Sequence, residues 1–428
     1  MTRFAILLAL FATLFANIAT ADTVAITNAR IHTMGKAGDV EGTVLIHNGW
    51  VAQVGPRVRV PANAIVIDAK GGAVTPGFFI VGTNLGALEV DLVKETNDTA
   101  TTNSGLSAAF NIAYGIDASA VAIPVARLGG VTRALVTPSY ADAEDRELLF
   151  AGQAAVITLA EGANPVTRSR VAQVLELGEG GAARAGGARG SAITALRADL
   201  DDVRWYARRR GAYNTGGTRD LRFTKADLDA LIPVVQGRTK LIVGVHRAAD
   251  IREVLKIARE YRLKIVLSGA EEGWMMADEI ARARVPVLLN PTANLPSSFE
   301  ARGSTMENAA RLHTAGVTIA IANGDGASRL REARYNAGNA VAHGLPHNAA
   351  LAALTINPAR IFGETKVGSI ERGKQADIVV WTGDPLEPST QPIAVLIKGV
   401  QQPMDSRADE LARRYRTLGT PYPPAYRD

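Results

Sequence analysis

One imidazole and one carboxylate stand where the pattern of this chain turns them toward chemistry. His246 closes the apolar run Leu241-Ile242-Val243-Gly244-Val245, and Asp325 follows Ile321-Ala322-Asn323-Gly324. A strand that ends in such a residue delivers it to the rim of a sheet. There it can act as a general base, a metal ligand or a contact for substrate. Both also have purely structural explanations. A lone His after a strand is often hydrogen-bonded in place, and an Asp between Gly324 and Gly326 suits a turn. Glu271 and Glu272 follow another apolar run, and Asn84 ends the run that starts at Phe78. Glu89, Asp91, Glu95 and Asp98 come next. If these acids converge, their oxygens suit Mg²⁺, Mn²⁺ or Ca²⁺ better than Zn²⁺; the alternative is that they are solvated loop residues. The other five histidines are His32 and His47 in a strand-rich region, and His313, His343 and His347 on or beside helical stretches. The chain has no Cys, no His-x-His pair and no Gly-x-Ser-x-Gly, so thiol chemistry is excluded and a serine triad has no support.

Residues 22–72 alternate like strands, and Asn48-Gly49 between two apolar runs predicts a tight hairpin. From residue 73 strands alternate with helical periodicity. Strands are predicted at 74–81, 131–137, 153–159, 241–246, 264–268, 285–289 and 317–322. Helices are predicted at 117–128, 250–261, 274–283, 304–315 and 347–355. Such alternation predicts parallel strands with crossover helices. Seven strands are legible where a closed barrel has eight, so the eighth belongs between residues 160 and 240. The Gly/Ala-rich stretch 178–190 reads as a mobile excursion, either a surface insertion or a lid over the barrel mouth, followed by a helix from Ala192 to Arg210. Asp250 reads as the N-cap of the next helix. Strands return after residue 365, residues 406–416 read as helix, and the end from Thr420 reads as a loose tail.

The 428 residues, 47% of them apolar, suffice for a large barrel with an accessory domain. Arg3, the apolar run Phe4 to Phe15 and Ala19-Thr20-Ala21 read as a secretory signal peptide over residues 1–21. The expected location is therefore a bacterial periplasm, with no membrane attachment after cleavage. The net charge of +5 is mild for this size, and the one dense basic run, Arg208-Arg209-Arg210, reads as a solvated helix end. No nucleic-acid footprint is present.

The stretch Val74-Thr75-Pro76-Gly77-Phe78-Phe79-Ile80-Val81-Gly82-Thr83-Asn84 resembles the first barrel strand of the amidohydrolase superfamily, the metal-dependent hydrolases related to urease and dihydroorotase. The run Ala353 to Gly363, with Gly368-Ser369-Ile370, Gly373-Lys374, Ala376-Asp377 and Asp384-Pro385, resembles that family's closing pattern. The resemblance implies an α/β fold: a (β/α)8 TIM barrel over residues 73–363, a composite β-sandwich from 22–72 and 364–402, and a C-terminal helix and tail at 403–428. It implies hydrolysis of a non-peptide carbon–nitrogen bond in a small molecule, by water activated on one or two divalent ions. The family's first strand ends Asp-x-His-x-His; here those positions are Ile80, Gly82 and Asn84. Ser268 or Gly269 stands where a further imidazole is expected, while His246 and Asp325 match the ligands of the fifth and eighth strands. Catalysis and any metal thus fall to His246 and Asp325, and substrate contacts to Asn84 and Glu271. A single divalent metal is the most this set admits, and dinuclear zinc is not expected. The alternative function is a non-catalytic periplasmic binding protein or the inactive partner subunit of an intact amidohydrolase. A homo-oligomer and a hetero-oligomer with a paralogue both remain open.

Overall fold

The computed structural model describes residues 23–90, 92–103, 105–141, 148–217, 219–293, 295–322 and 327–416. Two sheets organise it. In the first, β1 (Thr23–His32) pairs antiparallel with β2 (Asp39–His47), which turns back into β3 (Trp50–Gly55). Asn48 at φ 50° and Gly49 at φ 80° make the predicted turn, because left-handed backbone at both central positions matches the twist of the strands. The register of β1 shifts between Ile26 and Ala29. Its first half therefore pairs with β4 (Ile65–Asp68) and its second half with β5 (Ala73–Pro76).

The second sheet is the barrel. Its strands follow chain order: β6 (Phe78–Thr83), β7 (Val131–Val136), β8 (Phe150–Thr158), β9 (Val166–Glu176), β10 (Lys240–Val245), β11 (Ile265–Gly269), β12 (Val287–Leu289) and β13 (Ile319–Ile321). A parallel bridge from Val81 to Ala322 brings the last strand back to the first. Alternation sorts the side chains. Phe79, Val81, Leu135, Val156, Ala172, Ile242, Val266, Leu288 and Ala320, drawn from every strand, form one buried cluster with the helix Ile356–Phe362. That is the packed lumen of a barrel. Their neighbours along the strands join a larger cluster beneath the outer helices.

One of the next three expectations is met and two need correction. The eighth strand is β9, inside the predicted interval but hidden from a hydrophobic pattern because Thr167 to Arg170 are exposed. β8 runs antiparallel to both β7 and β9, against the all-parallel expectation. The link from Thr158 to Val166 is far too short for a parallel crossover, which takes a dozen or more residues. The Gly/Ala-rich stretch is a helix, Gly178–Arg184, whose Gly178, Gly181 and Ala182 are buried. The next helix, Arg189–Arg208, starts inside that stretch.

The strand read as 74–81 is two strands meeting at Gly77. A side chain there would overlap Thr132, and the Gly77 amide donates to Asp377 O at 2.8 Å. β14 (Ile378–Trp381) pairs with β5, followed by β15 (Pro392–Ile397) and β16 (Val400–Gln401). Strands from before and after the barrel thus share one sheet and one core, in which Ile26, Val44, Val74, Ile378 and Leu396 meet. Arg133 of β7 pins that sheet to the barrel through a buried 2.9 Å ion pair with Asp377.

A second buried acid carries a measurable cost. Asp199, in the helix Arg189–Arg208, leaves Oδ2 without a hydrogen bond among the described residues, while Arg222 Nη1 reaches Oδ1 at 3.4 Å. Burial, opposed by Arg222 and aided by Asp202, raises its pKa from 3.8 to about 6. The folded state therefore holds this proton more tightly than the unfolded state, and stability falls as pH rises from about 4 through about 6. Asp199→Asn is expected to match the wild type only below about pH 3.8 and to exceed it at pH 8 by roughly 1–3 kcal/mol in urea denaturation.

Candidate functional site

All barrel strands except β8 point their C-terminal ends to one mouth, and four of them deliver ionisable groups there. Glu176 is the last residue of β9. His246 directly follows β10, Glu271 follows β11 by two residues, and Glu300 sits in a single 3₁₀ turn, Phe299–Ala301, in the loop after β12. His246 Nδ1 is 2.5 Å from Glu271 Oε2. Its Nε2 faces Glu300 Oε1 at 3.8 Å and Glu176 Oε1 at 4.0 Å. The ring thus lies among three carboxylates.

Missing side chains make room for this cluster. A Cβ on Gly244 would collide with Glu176 Oε2, one on Gly178 with Glu300 Oε2, and one on Gly269 with the His246 ring. Gly178 (φ 71°) and Gly269 (φ 85°) also use left-handed backbone that other residues adopt at a cost. The Gly178–Arg184 helix supplies further support. The Glu179 amide donates to Glu300 Oε2 at 2.7 Å, and Arg189 Nη2 lies 3.5 Å from the same oxygen. Arg189 also binds Glu179 at 3.2 Å and Asp250 at 3.0 Å. Asp250 is therefore an ion-pair partner of Arg189 and Arg247 rather than a helix cap.

Burial holds Glu176 up at about 7; the His246 charge opposes that rise and the carboxylates of Glu300 and Glu271 add to it. Burial works against a charge on His246, but the hydrogen bond to Glu271 and the surrounding carboxylates outweigh it and raise the imidazolium to about 9. Near neutrality the cluster holds a charged ring beside a carboxyl that exchanges its proton readily. Such a pair can take a proton from water and return it to a leaving group.

The other sequence candidates separate. Gly82 lies at a register shift of β6 with φ 70°, where it bends the strand end. Asn84 lies two residues on, and its Oδ1 is buried with no hydrogen-bond partner among the described residues. Ser268 pairs in register with Gly244 and does not bond His246. Glu272 is a structural acceptor for the amides of Ala248 at 2.9 Å and Gly303 at 3.1 Å. Glu89, Glu95 and Asp98 are exposed and do not reach the cluster, and Asp91 lies outside the described residues. Asp325 also lies outside them. His343 and His347 are four residues apart, but Gly344-Leu345-Pro346 breaks the helix between them and they face Asn339 and Asp384 respectively. Among the described residues, no three His, Asp or Glu side chains are grouped to hold a metal ion.

Sequence reading missed Glu176 and Glu300. The alternation Ala172-Gln173-Val174-Leu175 before Glu176 is a signal that could have found the first. Nothing in the sequence around Glu300 marks the second.

The barrel thus gathers ionisable groups from successive strand ends at one mouth. Residues 264–402 match the amidohydrolase family model. An amidohydrolase from Thermotoga maritima MSB8 superposes with a TM-score of 0.78 at 25% identity, covering 88% of this chain and 99% of that one. Molinate hydrolase, at 18% identity and a TM-score of 0.54 over 90% of this chain and 95% of its own, shares the fold. The amidohydrolase tasK of Hapsidospora irregularis is 24% identical over 395 residues, 84% of this chain. The chain spans only 40% of that relative's length. The chain is thus similar to amidohydrolases in its fold along most of its length and in sequence over residues 264–402.

Proposed function

We propose that this chain is a divergent hydrolase of a non-peptide carbon–nitrogen bond in a small molecule. In this reading, proton transfer by Glu176 and His246 stands in for the multi-histidine metal centre of the family. The observation that carries the proposal is the position of His246, bonded through Nδ1 to Glu271 with Nε2 turned to Glu176 and Glu300 at the mouth.

The donor set argues against the family's dinuclear zinc. Gly82 has no ligand atom, and Asn84 offers only a neutral amide oxygen.

The chemistry balances without one. Ionised Glu176 takes a proton from water as the oxygen bonds to the substrate carbonyl carbon. His246 donates a hydrogen bond from Nε2 to the oxyanion that forms, and Glu271 holds the ring in place. The carbon–nitrogen bond then breaks, and Glu176 gives its proton to the departing nitrogen. Arg189 and the Glu179 amide hold the Glu300 carboxylate beside the ring. The signal pattern of residues 1–21, which lie outside the described residues, supports a periplasmic location. No described helix is long and apolar enough to cross a membrane. Assay of the wild type on small N-acyl, ureido and cyclic-amide compounds, with Glu176→Gln as the control, tests the proposal. Turnover that depends on Glu176 is expected. Absence of turnover alongside tight ligand binding favours a periplasmic binding protein instead.

A further inference from the structure

Among the described residues, Arg184 is a cation beside this mouth that forms no ion pair. Arg189 and Arg247 are saturated by carboxylates. Arg184, by contrast, makes no ion pair with any described residue and instead lies over the face of Tyr140, 3.9 Å from the ring centroid. Tyr140 is itself tied to the cluster. Its hydroxyl donates to Leu149 O at 2.6 Å, and the same carbonyl accepts the Glu176 amide at 3.1 Å. The guanidinium is close enough to Glu176 to favour its ionised form. It is half-buried at the end of the Gly178–Arg184 helix.

A planar guanidinium fixed on an aromatic face keeps its N–H edges directed outward and loses little freedom when it binds. Those edges match a carboxylate in a two-bond fork. A mouth lined by Glu176, Glu271 and Glu300 repels anions, so an anionic substrate needs a dedicated cation. We propose that Arg184, held by Tyr140, is the receptor for a carboxylate on the substrate, and that the substrate class is small amides carrying that group, such as N-acyl amino acids. The proposal rests on the hydrolase reading for the bond that is cut, but not for the binding it describes.

Two probes separate these. N-acetylglycine carries the carboxylate, and N-acetylglycinamide is its uncharged counterpart. Calorimetric titration into the wild type, Arg184→Met and Arg184→Lys is paired with hydrolysis assays on the same proteins. Circular dichroism verifies that each variant folds. Arg184→Met is expected to weaken N-acetylglycine binding about 10- to 100-fold and leave the glycinamide unchanged, with Arg184→Lys between. Carboxylate-dependent binding without hydrolysis supports this inference and contradicts the hydrolase reading. Hydrolysis with equal affinity for both probes overturns this inference alone. Failure of the wild type to prefer the carboxylated probe, or equal losses for both probes in Arg184→Met, also overturns it.

Discussion

Glu176→Gln is expected to lower kcat/KM for the substrate by about 10²- to 10⁴-fold, or roughly 3–5 kcal/mol of transition-state stabilisation, while leaving the fold intact. Glutamine keeps the shape that Gly244 accommodates but cannot take a proton from water. The pH profile gives the sharper readout. Hydrolysis needs Glu176 ionised, so the rate rises as pH passes about 7. It needs His246 protonated, so the rate falls as pH passes about 9. The wild type therefore has a bell-shaped profile, and Glu176→Gln loses the acid limb along with most of its rate. Glu271→Gln acts on the other side. It removes the charge that raises His246, so the alkaline limb moves down. A flat profile in the wild type, or full activity in Glu176→Gln, contradicts the assignment of Glu176 as the base.

Asp377→Ala is expected to destabilise the protein by about 3–5 kcal/mol, the usual loss when one partner of a buried ion pair is removed. Arg133 and Asp377 are both buried and 2.9 Å apart. Asp377 Oδ1 also accepts the Lys398 amide and the Gln375 side chain, each at 2.9 Å. Truncation leaves a guanidinium charge uncompensated and two donors short of an acceptor, at the joint where Gly77 passes from one sheet to the other. Asp377→Asn keeps an acceptor and is expected to lose less. Urea unfolding checks the order. A loss below about 1 kcal/mol for Asp377→Ala shows that solvent reaches this joint and the pair is not a pin.

The turns and strands that the sequence revealed were those fixed by local chemistry. Asn48-Gly49 specifies its hairpin through backbone geometry alone, and buried runs such as Leu241 to Val245 have no polar residue to disguise them. β9 escaped because four exposed residues break its apolar pattern. The helix Gly178–Arg184 was read as loop because glycine has poor intrinsic helix propensity; burial of its small side chains against the mouth compensates. The antiparallel course of β8 is a property of pairing across the barrel and leaves no mark in local periodicity. In the site, His246 was legible from its strand and Glu271 from the residues after the next one. Glu300 was not, since only tertiary folding brings the loop after β12 against the helix Gly178–Arg184. Sequence reading assigned Glu271 to substrate; the structure adds a contact of its Oε2 with the His246 ring.

Metal content measured together with activity on one sample tests the proton-transfer reading most directly. Protein is dialysed against a chelator, analysed by inductively coupled plasma mass spectrometry, and assayed at pH 8 on the best amide found. Retained hydrolysis with far less than one metal ion per chain is the predicted result. Zinc at one or two equivalents per chain, with activity lost on its removal and restored on its return, contradicts it.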